Sequence, residues 1–333
     1  MSSYPVRLPP KPTLVVGAYG YRNAGDEAIL AGLLTVLGRE GVTVVSRSPA
    51  ETVARHGVRA VSVLGTPAAL RRHRGVVIGG GGLFGRDMGL LGRLLPAFGL
   101  FAGVSGREIH LMGIGVDRHI PTLSARLQRA LARRATAVTV RDQESADLLR
   151  GFGISAEARP DLSSLVPSAG RAAGLRRLRA IGLLPDRRPV IGLCLTAVDP
   201  ALAKAVVAAV VGAVDALPSL DFCLIPMSRH PFVATHNDEI LARRVIAACP
   251  RVHCLDEVDD PGTILGVFEA LAGAVCMRYH SLLFAERAGI PIVPVPYREK
   301  AHRWVAEHGL RAIPPNVETL VAELDRARLA RTA

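Results

Sequence analysis

Short runs of apolar, often β-branched residues alternate along this chain with longer stretches of helical period. Thr13–Gly17 reads as a first strand, and the Ala- and Leu-rich segment Glu27–Leu37 as the helix after it. Val42–Val45, Gly75–Ile78, Glu108–Ile114 and Ala137–Val140 read as further strands, with a helix over Thr122–Arg134 between the last two. These strand runs are apolar at successive positions, as strands covered by helices on both faces must be. Strands and helices in alternation predict an α/β fold with parallel sheets.

The alternation breaks between Pro160 and Pro189, where Pro167, Pro185, Gly170, Gly174 and Gly182 fall among several arginines. That composition predicts a linker with a short helix, and a domain boundary. Val190–Leu195 restarts the pattern. Phe222–Pro226, Ala274–Met277 and Ile292–Val295 are the later strands, with helices at Pro200–Leu217, Asp238–Ala248, Thr263–Leu271 and Ser281–Ala288. The expected architecture is two Rossmann-like halves around a cleft, with domains at residues 1–165 and 189–333 and a linker at 166–188. Ligands in such folds bind beyond the carboxyl ends of the strands, so chemistry is sought in the loops after them.

The composition narrows the class. A chain of 333 residues suits about two domains, its 49% apolar share excludes disorder, and the absence of a repeat excludes a solenoid. The net charge of +12 comes from 41 basic against 29 acidic residues, and only Lys11, Lys204 and Lys300 are lysines. The arginines are spread along the chain, with small groups at residues 71–74, 133–134 and 176–177. This suits a solvated basic surface and a small anionic ligand, and no nucleic-acid partner is expected. The five cysteines form no CxxC pair and read as buried free thiols. Residues 1–11 hold no apolar signal core, and no apolar stretch reaches the ~18 residues of a membrane span. A cytoplasmic, reducing location is expected.

Several strand ends carry candidate chemistry. The first strand runs into Gly17-Ala18-Tyr19-Gly20-Tyr21-Arg22-Asn23-Ala24-Gly25-Asp26-Glu27, a tight glycine-bearing turn before a helix N-terminus. Its spacing is neither a dinucleotide nor a P-loop fingerprint. Glu27 suits the helix dipole as well as a site; Asp26 is the better candidate for a sugar hydroxyl. Four glycines, residues 79–82, follow another strand and signal a close approach to the backbone, read here as a shared cleft wall with the Asn23 loop, lined by Phe84 and Asp87. In the second half Met277-Arg278-Tyr279-His280-Ser281 closes a strand and opens a helix. An Arg and a His emerging there, with Ser281 as cap, form an anion and proton-transfer site. Arg229, Arg298 with Lys300, and Arg141 end other strands, and several basic groups together imply a ligand with phosphate and carboxylate. The histidines at 230, 236, 302 and 308 lack metal-ligand spacing, so no metal is expected.

Taken together, these motifs resemble the polysaccharide pyruvyltransferase family, whose members move a pyruvyl group from phosphoenolpyruvate onto a sugar. The resemblance rests on residues 20–28, the 79–82 glycines with Leu83-Phe84, Val140-Arg141-Asp142 with Ser145, Pro160-Asp161, Arg278-Tyr279-His280-Ser281, and Tyr297 with Lys300. It implies a two-domain fold similar to the GT-B glycosyltransferases, with no metal or nicotinamide cofactor. The N-terminal domain would take the acceptor and the C-terminal one phosphoenolpyruvate. Arg278 and His280 match the family's residues that hold the donor and serve the chemistry, and the further donor-binding Arg stays open among Arg141, Arg159 and Arg229. Asn23, Gly25, Gly81, Ser281 and Lys300 complete the expected binding set, with Asp26 near the acceptor hydroxyls. One departure is Arg22, which follows Tyr21 where the family often has Phe-Gly or similar small residues.

The chemistry suits these groups. Guanidinium groups read carboxylate and phosphate bidentately, and a His near neutral pKa suits delivery of a proton to the donor's methylene carbon. Two other readings remain: a GT-B glycosyltransferase whose nucleotide-sugar ribose would need an acid such as Glu286 or Glu299, and a non-catalytic basic protein that binds nucleic acid or an anionic membrane. A lipid-linked repeat unit, a cell-wall polymer and a smaller glycoside are all open as acceptor, and oligomeric state is open too.

Overall fold

The structure, a computed structural model, describes residues 7–85, 90–118, 122–196, 198–255 and 260–330. Asp87 lies outside the described residues. The chain divides into two units: Met1–Tyr21 with Asp26–Val166, and Arg22–Gly25 with Pro167–Ala333.

The first unit carries β1 (Thr13–Val16), α1 (Ala24–Leu37), β2 (Val42–Val45), α2 (Pro49–His56), β3 (Arg59–Val61), α3 (Thr66–Arg72), β4 (Gly75–Gly79), α4 (Leu91–Val104), β5 (Glu108–Ile114), α5 (Thr122–Arg134), β6 (Ala137–Val140), α6 (Gln143–Arg150) and β7 (Glu157–Ala158). Its sheet has seven strands in the order β3-β2-β1-β4-β5-β6-β7, and every pairing is parallel. All residues of β1, β2 and β4 are buried. The chain leaves β1 in one direction and β4 in the other, so helices cover both faces. That explains the unbroken apolar runs of the sequence.

The second unit carries α7 (Arg171–Ala180), β8 (Val190–Cys194), α8 (Pro200–Ala216), β9 (Asp221–Leu224), α9 (Asp238–Ala248), β10 (His253–Cys254), α10 (Pro261–Ala270), β11 (Gly273–Cys276), α11 (Tyr279–Arg287), β12 (Ile292–Pro294), α12 (Glu299–Glu307) and α13 (Val317–Ala330). Its five strands lie parallel in the order β10-β9-β8-β11-β12. The core is built from Ile191, Leu193, Val206, Val210, Phe222, Leu224, Val275 and Val293 with their neighbours. In both sheets the order reverses beside the first strand, between β1 and β4 and between β8 and β11. Such switch points are where open parallel sheets splay the loops that hold ligands.

The stretch expected as a linker is instead part of the second unit. Its helix α7 lies so close to α10 that a Cβ at Gly174 would stand 1.9 Å from the carbonyl oxygen of Gly266. The five cysteines are free, and all except Cys254 are buried. Burial pushes the thiol pKa of Cys194 and of Cys223 well above the ordinary value.

Candidate active site

At the β8/β11 switch point Arg278 follows β11 and caps the start of α11 through its backbone. Its side chain is fixed by a fork. Nε donates to Asp238 Oδ2 at 2.6 Å and Nη2 to Oδ1 at 2.5 Å, while Nη2 also reaches Thr196 Oγ1, just beyond β8, at 3.1 Å. Asp238 is 3% exposed and opens α9. Its Oδ2 also accepts the Ser228 amide at 3.0 Å, and its own amide donates to the Ser228 carbonyl at 2.8 Å. A buried carboxylate with this many donors is a rigid anchor for a guanidinium.

The loop after β1 joins the same group. Asn23 bridges Ser228 in antiparallel fashion, Ala24 N–H donates to Met227 at 2.8 Å and Arg229 N–H to Arg22 at 2.9 Å. This explains why Arg22–Gly25 belongs to the second unit. Asn23 Oδ1 accepts the Gly25 amide at 3.0 Å, closing a tight turn at the head of α1. Arg22 adopts φ 57°, the left-handed region that favours glycine, so this departure from the family's small residue costs about 1 kcal/mol of backbone strain.

Gly25 meets the candidate imidazole directly: a Cβ there would stand 2.1 Å from His280 Nδ1. Gly25→Ala must therefore displace the ring, and turnover is expected to fall about a hundredfold with the fold retained. Steady-state rates beside a melting curve check this, and a rate within twofold of wild type contradicts it. The Tyr279 ring stands edge-on to His280 at 5.4 Å between centroids, and Lys300 Nζ lies 3.9 Å over the Tyr279 ring. Lys300 is thereby held over Tyr279 by a cation–π contact.

One expectation at this helix changes. Ser281 is not the cap: its hydroxyl is fully buried and donates back to the Arg278 carbonyl at 2.6 Å, fixing the turn from inside. Arg229 is also largely buried. Its Nη2 donates to the Leu255 carbonyl, and Nη1 lies 3.5 Å from Glu239, which ties the β9 and β10 ends together. His230 accepts the Phe232 and Val233 amides on Nδ1 at 3.2 and 3.1 Å, and burial lowers its pKa, so its ring is neutral.

In the first unit the glycine run has another explanation than a cleft wall. A Cβ at Gly81 would stand 2.6 Å from Arg141 Nη1, and one at Gly115 2.3 Å from Nη2. The two glycines thus make the slot that holds the Arg141 guanidinium. Asp142 caps α6 by accepting the Ser145 amide at 2.7 Å, and the buried Ser145 hydroxyl accepts the Val116 amide at 2.9 Å. The whole Arg141–Ser145 motif therefore aims and seats one arginine. Phe84 is a core residue at 1% exposure and lines nothing. Arg159 pairs with Glu157 at 2.9 Å, and Asp161 caps the short 3-10 turn Leu162–Leu165.

Around the β1 loop, Gly20 has φ 79° with its Cα against Ser46. Its amide donates to the buried Glu27 carboxylate at 2.8 Å, whose other oxygen meets His56 Nε2 at 2.7 Å and Arg55 at 3.7 Å. Glu27 is thus an anchor of the turn, while Asp26 beside it is half-buried. Tyr19, buried with its hydroxyl on the Gly79 carbonyl at 2.7 Å, ties the β1 and β4 loops; burial raises its pKa well above 10, with Asp26 and Glu27 adding to the rise.

Sequence reading missed Asp238 and Thr196. Asp238 passes as an ordinary first-turn acid; only its meeting with a residue 40 positions away reveals it. Thr196 could have been found, since it follows closely on the first strand of its half. Among the described residues no group of three or more His, Cys, Asp or Glu is placed to hold a metal, and no helix is long and apolar enough to cross a membrane. Glu286 lies at the far end of α11 and pairs with His308 at 3.0 Å, and Glu299 is exposed beside Arg303.

The family model described as polysaccharide pyruvyl transferase matches residues 23–299, which include Asn23, Gly25, Arg141, Asp238, Arg278 and His280. The chain belongs to the polysaccharide pyruvyl transferase family. No curated protein matches it in sequence. In fold this pyruvyl transferase family member is similar to sugar enzymes. The UDP-GlcNAc 2-epimerase of Neisseria meningitidis superposes with a TM-score of 0.64 at 10% identity, covering 94% of this chain and 90% of that one. The epimerase of Methanocaldococcus jannaschii gives 0.62 at 9% identity over 95% and 92%. The Escherichia coli ADP-heptose lps heptosyltransferase II gives 0.55 at 13% identity over 96% and 100%. These likenesses establish a GT-B-like fold with two parallel-sheet α/β units.

Proposed function

We propose that this protein transfers the pyruvyl group of phosphoenolpyruvate to two hydroxyls of a sugar in a glycan or glycoside, forming a cyclic pyruvyl ketal and releasing phosphate. The observation that carries this reading is the Arg278 guanidinium, locked by Asp238 and Thr196, with His280 two residues on against Gly25.

Arg278 and Lys300 suit the two anionic groups of the donor, aided by the amides at the start of α11. Arg229 is the second arginine proposed on the donor side, and Arg141, seated by Gly81 and Gly115 in the first unit, is proposed as a further substrate-binding arginine. His280 delivers a proton to the methylene carbon, which becomes the methyl, and positive charge develops on the adjacent carbon. A sugar hydroxyl adds there, its proton passing to a base. The carbon–oxygen bond to phosphate then breaks, a second hydroxyl closes the ketal, and the last proton leaves with phosphate. Asp26 is the group proposed to orient the acceptor hydroxyls, and Asn23 and Gly25 shape the turn beside it. The reaction is expected to proceed in the cytoplasm, where phosphoenolpyruvate is made.

Ligand-dependent melting tests the donor. At about a hundred times its Kd, phosphoenolpyruvate is expected to raise Tm by roughly 3–5 °C, with no rise from a nucleotide sugar. A rise with the nucleotide sugar alone would overturn the assignment.

A further inference from the structure

Apart from Arg93, helix α4 holds only apolar residues, a composition that normally means burial. Its inner face is buried through Leu95, Gly99 and Ala102, yet Leu90, Leu94, Ala97, Phe101 and Val104 are exposed, the four larger side chains to 67%, 52%, 60% and 69%. Their spacing of four, three, four and three residues confines them to a sector of about 80° on an ideal helix. This is one continuous stripe of large side chains in water, where such stripes mark an interaction face.

The neighbouring helix extends it. Strands β4, β5 and β6 advance in one direction across the sheet, so right-handed crossovers put α4 and α5 on the same face. Gln128 of α5 donates to the Gly92 carbonyl at 3.5 Å and Arg134 to that of Gly103 at 3.1 Å. Both helices begin at the carboxyl end of the sheet. There α5 exposes Leu123 to 52%.

The two helices carry charge of a single sign. Helices α4 and α5 contain no Asp or Glu, but hold Arg93, Arg126, Arg129, Arg133 and Arg134. Arg93 borders the stripe and Arg126 lies one turn from Leu123; both are exposed. A second copy of this chain, docked by a two-fold axis, would set these arginines against one another. An apolar stripe flanked by cations fits a different occupant: acyl chains beneath anionic headgroups.

We infer that the α4/α5 face docks the first unit on an anionic lipid bilayer, lying in the headgroup region without crossing it. This stands on the surface alone and holds whatever reaction the protein catalyses. If the acceptor is lipid-linked, such docking puts the carboxyl-end loops of this unit next to the membrane that carries it.

Sedimentation of the full chain with lipid vesicles is the test. Vesicles of phosphatidylcholine with one third phosphatidylglycerol are expected to carry the protein down at low salt, and pure phosphatidylcholine to carry down far less. Leu94→Ser with Phe101→Ser, both at exposed positions, and separately Arg93→Glu with Arg126→Glu, are each expected to weaken binding about tenfold or more, with melting temperatures unchanged. The inference is overturned if the wild type stays in solution with anionic vesicles, or if both double variants bind as wild type does. It is equally overturned if the Leu94/Phe101 pair converts a wild-type dimer to monomer and leaves vesicle binding intact.

Discussion

His280→Gln is expected to lower kcat for pyruvyl transfer by about 10²–10⁴-fold while leaving the KM for phosphoenolpyruvate within a few-fold of wild type. The ring has a half-buried setting at the head of α11, held by the edge of Tyr279 and by the absence of a side chain at Gly25. Gln keeps much of the volume of the ring, so stability should change little. Only proton transfer needs a group that titrates near neutrality, and the loss corresponds to about 3–5 kcal/mol of transition-state stabilisation. A kcat within threefold of wild type would remove His280 from the chemistry.

Arg278→Lys is expected to have its main effect on the donor. The charge survives, but an ammonium cannot make the two-point contact with Asp238 and also meet Thr196. KM for phosphoenolpyruvate should rise about a hundredfold. Arg278→Ala adds a stability penalty, because the Asp238 carboxylate, 3% exposed, loses its partner; removal of one member of such a pair costs about 3–5 kcal/mol. Asp238→Asn separates the two effects. It keeps the shape of the site and the positive charge on Arg278, and loosens only the fork, so kcat/KM should fall about tenfold with a smaller change in Tm. An unchanged KM in Arg278→Lys would contradict a role for this guanidinium in donor binding.

Much of this architecture is legible in the amino-acid pattern because parallel strands buried on both faces are apolar at every position. Thr13–Val16 and Val190–Cys194 announce themselves that way. The short helix expected between Pro160 and Pro189 is α7, but its packing was not legible: Pro167, Pro185 and Pro189 lie outside its ends and read as a linker, while Gly174 is there to let α10 approach. In the site, Arg278 and His280 stand out because a basic pair follows a buried strand. Their supports do not, since Asp238 acquires meaning only through a long-range ion pair. The glycine run shows the converse. Its signal of close approach was sound, but the visitor at Gly81 is the Arg141 side chain, 60 positions away, and no local pattern names such a partner.

The central claim is that His280 and Arg278 convert phosphoenolpyruvate into a pyruvyl donor. It is tested most directly by running the reaction in deuterium oxide with phosphoenolpyruvate and a panel of glycosides, and reading the products by mass spectrometry. The account predicts a ketal whose methyl group carries one solvent deuteron, formed with one equivalent of phosphate and lost in His280→Gln. A pyruvyl product with an unlabelled methyl, or one made at the wild-type rate by His280→Gln, would contradict it.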